Sequence, residues 1–267
     1  MRKRVDNNFA KKHLMAAKAR EHHYEMENRY RQETAKSIRD SVVYGGDQRE
    51  PENIEEVRIP DVYLLNTDSV SALFDNFRDD KKICVLNFAS YKNPGGMFLE
   101  GSSAQEEALC HESNLYEILS SSSLSGYYAW NNQNKNRSLY KNRAIYIPDV
   151  MFRRDDKEVK ADVLTCAAPN IGAALRYKMA DEEENISEII DRIQFMSNIL
   201  NEQKVNIFIA GAWGCGVFRQ YPNEICNAFY GTRYGESLEK VIHPIPGENG
   251  NYEQFKRIVL REGGNVL

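Results

Sequence analysis

The sequence predicts an α/β fold, a sandwich with helices on both faces of a sheet and a helical extension at its N-terminus. Three observations predict it. Four runs rich in β-formers are almost continuously apolar, as strands covered on both faces are. Amphipathic patterns of helix length lie between them, which is the alternation of layered α/β proteins. The 267 residues are 42% hydrophobic and 28% charged, enough apolar material for one large core.

Taken in order, the chain from Met1 to about Asp40 is polar and helix-favouring. Leu14, Met15, Ala19, His22 and Met26 recur at helical spacing and predict one long helix or a helix pair. Its basic start reads as a solvated helical face. "YGGDQREPEN" then breaks the pattern with glycine and proline. Residues 1–44 are therefore assigned to the extension and 45–267 to the main domain. The strands are "DVYLLN" (61–66), "KICVLNFAS" (82–90), "DVLTCAAPN" (162–170) and "NIFIAGAWG" (206–214), with "AIYIPDV" as a fifth. Helical patterns are "SVSALFDNFRD", "AQEEALCHESNLYEILSSS" and "EENISEIIDRIQFMSNILNEQ". In the last, Ile186, Ile189, Ile190, Ile193, Met196 and Leu200 form one stripe. "SSSLSGYYAWNNQNKNRS" reads as a polar surface loop.

A formal net charge of -4 argues against a general nucleic-acid or membrane binder. No stretch approaches the ~18 apolar residues of a membrane span, and "MRKRVDNNFAKKH" lacks the apolar segment of a secretory signal. Cys84, Cys110, Cys166, Cys215 and Cys226 form no CxxC pair and sit mostly in apolar runs, as buried reduced thiols do. An intracellular protein is expected, cytoplasmic with the nucleus left open.

Chemistry concentrates where "KICVLNFAS" ends, because ligands of such sandwiches bind beyond the carboxyl ends of the strands. There "NPGGMFLEGSSAQEEALCHESNLYEIL" sets a glycine pair and a spacer before Glu106 and Glu107. Ser103 and Glu106 match a capping box, and glutamates in a first helical turn also suit the helix dipole. A second reading is functional. Glycines let backbone approach a ligand, and "GAWGCGVFR" supplies a second such loop after "NIFIA". Two glycine loops beside a glutamate pair suit a phosphate-containing substrate and acid–base chemistry. The five histidines show no metal-ligand spacing, and no P-loop, G-x-S-x-G or complete G-x-G-x-x-G motif occurs. Cys215 has no recognisable histidine partner and reads as a small residue packed beneath its loop.

"LNFASYKNPGGMFLEGSSAQEEALCHESNLY" resembles the signature of the microbial-type poly(ADP-ribose) glycohydrolases, a macrodomain family marked by a glycine loop, a spacer and Gln-Glu-Glu. "YIPDVMFRRDD", "LTCAAPN" and "GAWGCGVFRQYP" are similar to the family's later blocks and follow in the same order, so that the resemblance spans about Tyr30 to Arg261. It implies a macrodomain-like three-layer α/β/α sandwich with a mixed central sheet. It also implies cleavage of ribose–ribose O-glycosidic bonds in poly(ADP-ribose), with ADP-ribose as product and neither metal nor organic cofactor. A monomer without membrane contact is expected. By the same resemblance Glu107 is the catalytic general acid/base and Glu106 holds a ribose hydroxyl. Asn93 and Gln105 shape the ribose pocket, Asn87 is the strand-end asparagine, and Gly95 and Gly96 approach the diphosphate. Gly214, Cys215, Gly216 and Val217 form the second phosphate loop through their backbone. Phe218 stacks on the distal ribose or adenine side, and Asp68 stands at the adenine end. An ADP-ribose-binding macrodomain, or a hydrolase of single ADP-ribosyl groups on protein or nucleic acid, would use the same pocket.

Met97 departs from the family, which usually has three consecutive glycines. If that position required positive φ, methionine would cost about 1 kcal/mol or more; if it required closeness to phosphate, the side chain would obstruct it.

Overall fold

Alternation along the central strands explains why they are apolar on both faces. In the computed structural model, which describes residues 2–247 and 250–267, with side chains from residue 10 onward, the central strand runs Ile83–Phe88. Its Cys84 and Leu86 enter one core cluster, while Ile83 and Val85 enter the other. The basic start of the extension lies largely outside the described side chains.

The elements in chain order are α1 (Arg2–Arg29), α2 (Arg31–Asp40), β1 (Val42–Gly45), β2 (Val57–Arg58), β3 (Asp61–Leu65), α3 (Ser69–Asn76) and β4 (Ile83–Phe88). Then come α4 (Gln105–His111), α5 (Leu115–Leu119), α6 (Ser125–Gln133), β5 (Arg143–Arg154), β6 (Lys157–Cys166), α7 (Ile171–Arg176) and α8 (Glu182–Glu202). The chain continues through β7 (Ile207–Ile209), α9 (Pro222–Gly231), β8 (Tyr234–Gly235), β9 (Lys240–Pro244), α10 (Gly250–Arg261) and β10 (Asn265–Val266). Eight strands form one sheet in the order β1-β5-β6-β4-β7-β9-β3-β10. Pairs involving β5 are antiparallel and the others parallel, so the sheet is mixed. Helices α8, α9 and α10 cover one face; α3, α4, α5 and α6 cover the other. The parallel strands bring the carboxyl ends of β3, β4, β6, β7 and β9 to one edge.

Several expectations need correction. The segment read as surface loop contains α6, whose Tyr127, Tyr128 and Asn131 are buried on one side at i, i+1 and i+4 spacing. Its polar composition hid a helix that packing stabilises. The pattern over 104–122 is two helices, because Ser113 and Asn114 leave the helix to bond β5: the Met151 N–H donates to Asn114 Oδ1 (2.9 Å), and the Asn114 N–H donates to the Met151 carbonyl (3.2 Å). In α1 the buried side is Ala16, Ala19 and Met26, with Leu14 57% exposed. In α8 Ile189, Ile193, Met196 and Leu200 are buried as expected, whereas Ile186 and Ile190 are exposed. Small alanines and the buried Arg192 fill the places a hydrophobic pattern would not assign. The 44/45 division falls inside β1, which pairs with β5 along the sheet edge.

Candidate active site

A cleft of ≈ 410 Å³ opens at the carboxyl edge of the sheet. Phe88 at the end of β4, Gln105 and Ala108 of α4, Val217 and Phe218 after β7, and Ile245 after β9 line it. Its walls thus come from loops that the parallel strands deliver to one place.

Glu106 and Glu107 lie in the first turn of α4 and are 3% and 5% exposed. They bond in different directions, as neighbours on a helix must. Glu106 Oε2 accepts from the Ser90 N–H (2.7 Å) and Oε1 accepts from the Asn87 amide (3.2 Å). Glu107 Oε1 accepts from the Met97 N–H (2.9 Å). The expected capping box does not form: the N-cap is Ala104, without a side-chain cap bond, and Glu106 is turned into the protein. Burial pushes the Glu106 carboxyl up to about 8; its bonds to Ser90 and Asn87 oppose the rise and the Glu107 charge adds to it. Asn87 is fully buried, also donates to Thr165 Oγ1 (3.3 Å), and its Oδ1 has no hydrogen-bond partner among the described residues.

The first glycine loop passes directly over the pair. Gly95 and Gly96 adopt φ of +65° and +62°. A Cβ on Gly96 would lie 2.5 Å from Glu107 Oε1 and 3.0 Å from Glu106 Oε2, so only glycine permits this approach. Met97 does not adopt positive φ, its N–H serves Glu107, and it is 47% exposed. The missing third glycine therefore imposes no left-handed strain. Asn93 is exposed, and its carbonyl accepts the Gly96 N–H (3.1 Å).

The second loop is held from beneath. His243 Nδ1 donates to the Gly211 carbonyl (2.8 Å), and burial lowers this imidazole to about 4, keeping it neutral. Trp213 Nε1 donates to the Cys166 carbonyl (3.0 Å). Gly214 is left-handed at φ +78°, while Gly216 and Val217 are exposed. Burial pushes the Cys215 thiol well up, and its sulfur lies 3.7 Å from the Trp213 carbonyl oxygen, the environment of a packing residue rather than a nucleophile.

Of the expected site residues, Asp68, Gln105, Gly214, Gly216, Val217 and Phe218 line the cleft. Asn87, Glu106, Glu107, Gly95 and Gly96 gather around the first turn of α4, and none of them lines the cleft. Gln105 uses its amide on the protein: Oε1 accepts from the Phe88 N–H (2.9 Å), and Nε2 donates to the Leu86 carbonyl (2.9 Å) and Ser69 Oγ (3.2 Å). Asp68 caps α3 by accepting from the Val70 and Ser71 N–H groups, both at 2.9 Å, and pairs with Arg154 at 3.3 Å. Among the described residues no three His, Cys, Asp or Glu side chains converge as metal ligands would.

Residues 10–155 match the family described as microbial-type PARG, catalytic domain. The chain belongs to this family. Among solved structures it is similar to the poly(ADP-ribose) glycohydrolase of Thermomonospora curvata bound to the inhibitor ADP-HPD, at 26% identity and a TM-score of 0.77, over 92% of this chain and 99% of that one. It is likewise similar to the poly(ADP-ribose) glycohydrolase of Deinococcus radiodurans in complex with ADP-ribose, at 25% identity and a TM-score of 0.74, over 86% and 98%. No curated protein matches by sequence. This poly(ADP-ribose) glycohydrolase thus has the macrodomain-like fold of its relatives. Sequence reasoning missed Ser90, whose backbone N–H holds Glu106, and His243, which props the second loop. Neither carries a local signal: one acts through its main chain, the other from a strand 32 residues away.

Proposed function

We propose that this enzyme releases ADP-ribose from the end of poly(ADP-ribose), with Glu107 acting first as general acid and then as general base. The observation that carries the reading is the buried glutamate pair beneath Gly96, with Glu107 fixed by the Met97 N–H. The complexes of the Deinococcus relative with ADP-ribose and of the Thermomonospora relative with ADP-HPD support a ligand of this class.

In this reading the adenosine occupies the apolar cleft near Phe88 and Ile245, with Asp68 at its rim. The diphosphate lies between Gly95–Gly96 and the backbone of Gly214, Cys215, Gly216 and Val217. Phe218 stacks on the distal ribose or adenine side, Asn93 and Gln105 shape the ribose pocket beside the strand-end Asn87, and Glu106 bonds a ribose hydroxyl. Glu107 gives its proton to the departing ribose oxygen as the anomeric C–O bond breaks, leaving an oxocarbenium-like centre. Water attacks that carbon and its proton passes to Glu107, which restores the acid. The two carboxyls diverge on the helix by about 100° and cannot flank the bond as the pair in ordinary glycosidases does. Glu106, protonated up to about pH 8, keeps one negative charge away from the diphosphate. The reading includes a monomer.

Incubation of wild type and Glu107→Gln with poly(ADP-ribose), followed by chromatography of free ADP-ribose, tests the reading. Release by wild type alone is expected. Release by the variant at the wild-type rate would refute the role of Glu107, and release by neither would refute the polymer as substrate.

A further inference from the structure

Three aromatic rings connect the two glycine loops. Tyr91, on the turn after β4, stacks on Tyr140 with centroids 4.0 Å apart and planes at 10°. Tyr140 meets Phe218 of the second loop edge to face at 5.9 Å. Tyr91 and Tyr140 are 1% and 6% exposed, and neither lines the cleft. Their contact is therefore with the loops and not with whatever the cleft holds.

The segment that carries Tyr140 is strained and heavily restrained. Asn136, Arg137, Ser138 and Tyr140 all adopt positive φ, from 42° to 70°, which non-glycine residues do only where surroundings over-determine them. The restraints are visible. Asn136 Nδ2 donates to the Tyr140 carbonyl and to Glu188 Oε1, both at 2.8 Å. The fully buried Arg192 donates to Asn142 Oδ1 (2.6 Å), the Ala167 carbonyl (2.9 Å) and the Leu139 carbonyl (3.3 Å). On the other side the Tyr91 hydroxyl donates to the Asn134 carbonyl (2.9 Å), and Asn131 Nδ2 donates to the Tyr91 carbonyl (2.9 Å). Bonds on both sides of the stack fix a ring that has no contact with the cleft.

We propose that Tyr140 is a positioning residue that sets the gap between the two glycine loops, acting through Tyr91 on one side and Phe218 on the other. The inference rests on the reading that a diphosphate spans both loops. A ligand that touches both loops needs the gap, whereas one with a single phosphate does not. The test compares ADP-ribose with AMP by calorimetry on wild type, Tyr140→Ala and Tyr140→Phe, with polymer kinetics alongside. Tyr140→Ala is expected to lose about tenfold in ADP-ribose affinity and to raise KM for polymer similarly, the scale of lost aromatic pairs. Its AMP affinity should stay near wild type, kcat should fall less than KM rises, and Tyr140→Phe should restore ADP-ribose binding. Tyr91→Ala removes the same stack from the other side and should give the same split, which keeps the test intact if Tyr140→Ala does not fold. Equal loss of AMP and ADP-ribose, or no loss of either, would overturn the proposal. Wild type that fails to bind ADP-ribose would overturn the two-loop reading itself, a failure distinct from one confined to the variants.

Discussion

The first glycine loop is closed in and the second is open. Around the first, Tyr91, Gly95, Phe98 and Gly101 are buried. A Cβ on Gly101 would collide with the backbone of α1 at Lys12 and Ala16, and one on Gly95 would lie 2.6 Å from Tyr116. Phe98 packs on Tyr116 at 5.1 Å and on His111 at 4.7 Å. In the second, Val217 is 80% exposed, nothing lies within 4 Å of a Cβ on Gly216, and support comes from beneath through His243 and Trp213. The difference suits two tasks. A carboxyl that must meet one bond of a substrate benefits from being fixed in place, as Glu107 is by the Met97 N–H, while a loop that receives phosphate through its backbone must leave part of itself exposed, as Gly216 and Val217 are.

The largest expected effect lies in the closed loop: Glu107→Gln should lower polymer hydrolysis by about 10²–10⁴-fold, measured as ADP-ribose release, with ADP-ribose affinity little changed. Gly96→Ala comes next, because its Cβ would press on both carboxylates at positive φ; a loss of about tenfold or more in kcat is expected from that strain. A Gly96→Ala enzyme with normal kcat would dissolve the contrast between the loops. The third test is pH. Burial holds the folded Glu106 above its unfolded value of 4.5, at about 8, so the folded state binds the extra proton between those values. Stability therefore falls as pH rises from 4.5 to about 8 and levels off beyond. Glu106→Gln should remove this slope, and its melting temperature relative to wild type should climb across that window by roughly 2–4 °C per kcal/mol relieved. The smallest effect belongs to Met97→Gly, which should leave kcat/KM within about threefold of wild type, because Met97 has no positive φ, its side chain is 47% exposed and the N–H that serves Glu107 is kept.

Much of the sheet was legible because its strands are buried on both faces and read as apolar runs. Both glycine loops and the glutamate pair were legible for a similar reason, since each lies just beyond such a run. What Glu106 bonds was not, because Ser103 and Glu106 satisfy a capping pattern by spacing alone, and only the fold shows that the Ser90 N–H competes successfully. The left-handed run ending at Tyr140 carries no glycine to announce it. Helix α6 escaped because polar residues surround its two buried tyrosines. Asp68 read as a ligand contact, and its cap on α3 required knowing where that helix begins.

The strand order has a consequence for the chain as it is being made. β4 takes its neighbours from later segments, β6 on one side and β7 on the other, and β3 waits for β9 and β10. A nascent chain that ends before residue 207 leaves one edge of β4 unpaired, with Ile83 and Val85 short of their cover. The cleft wall at Ile245 arrives later still. The glutamate pair is therefore synthesised well before the residues that complete its surroundings, and ribosome-bound intermediates should stay open, sticky and inactive until nearly the whole sheet has emerged.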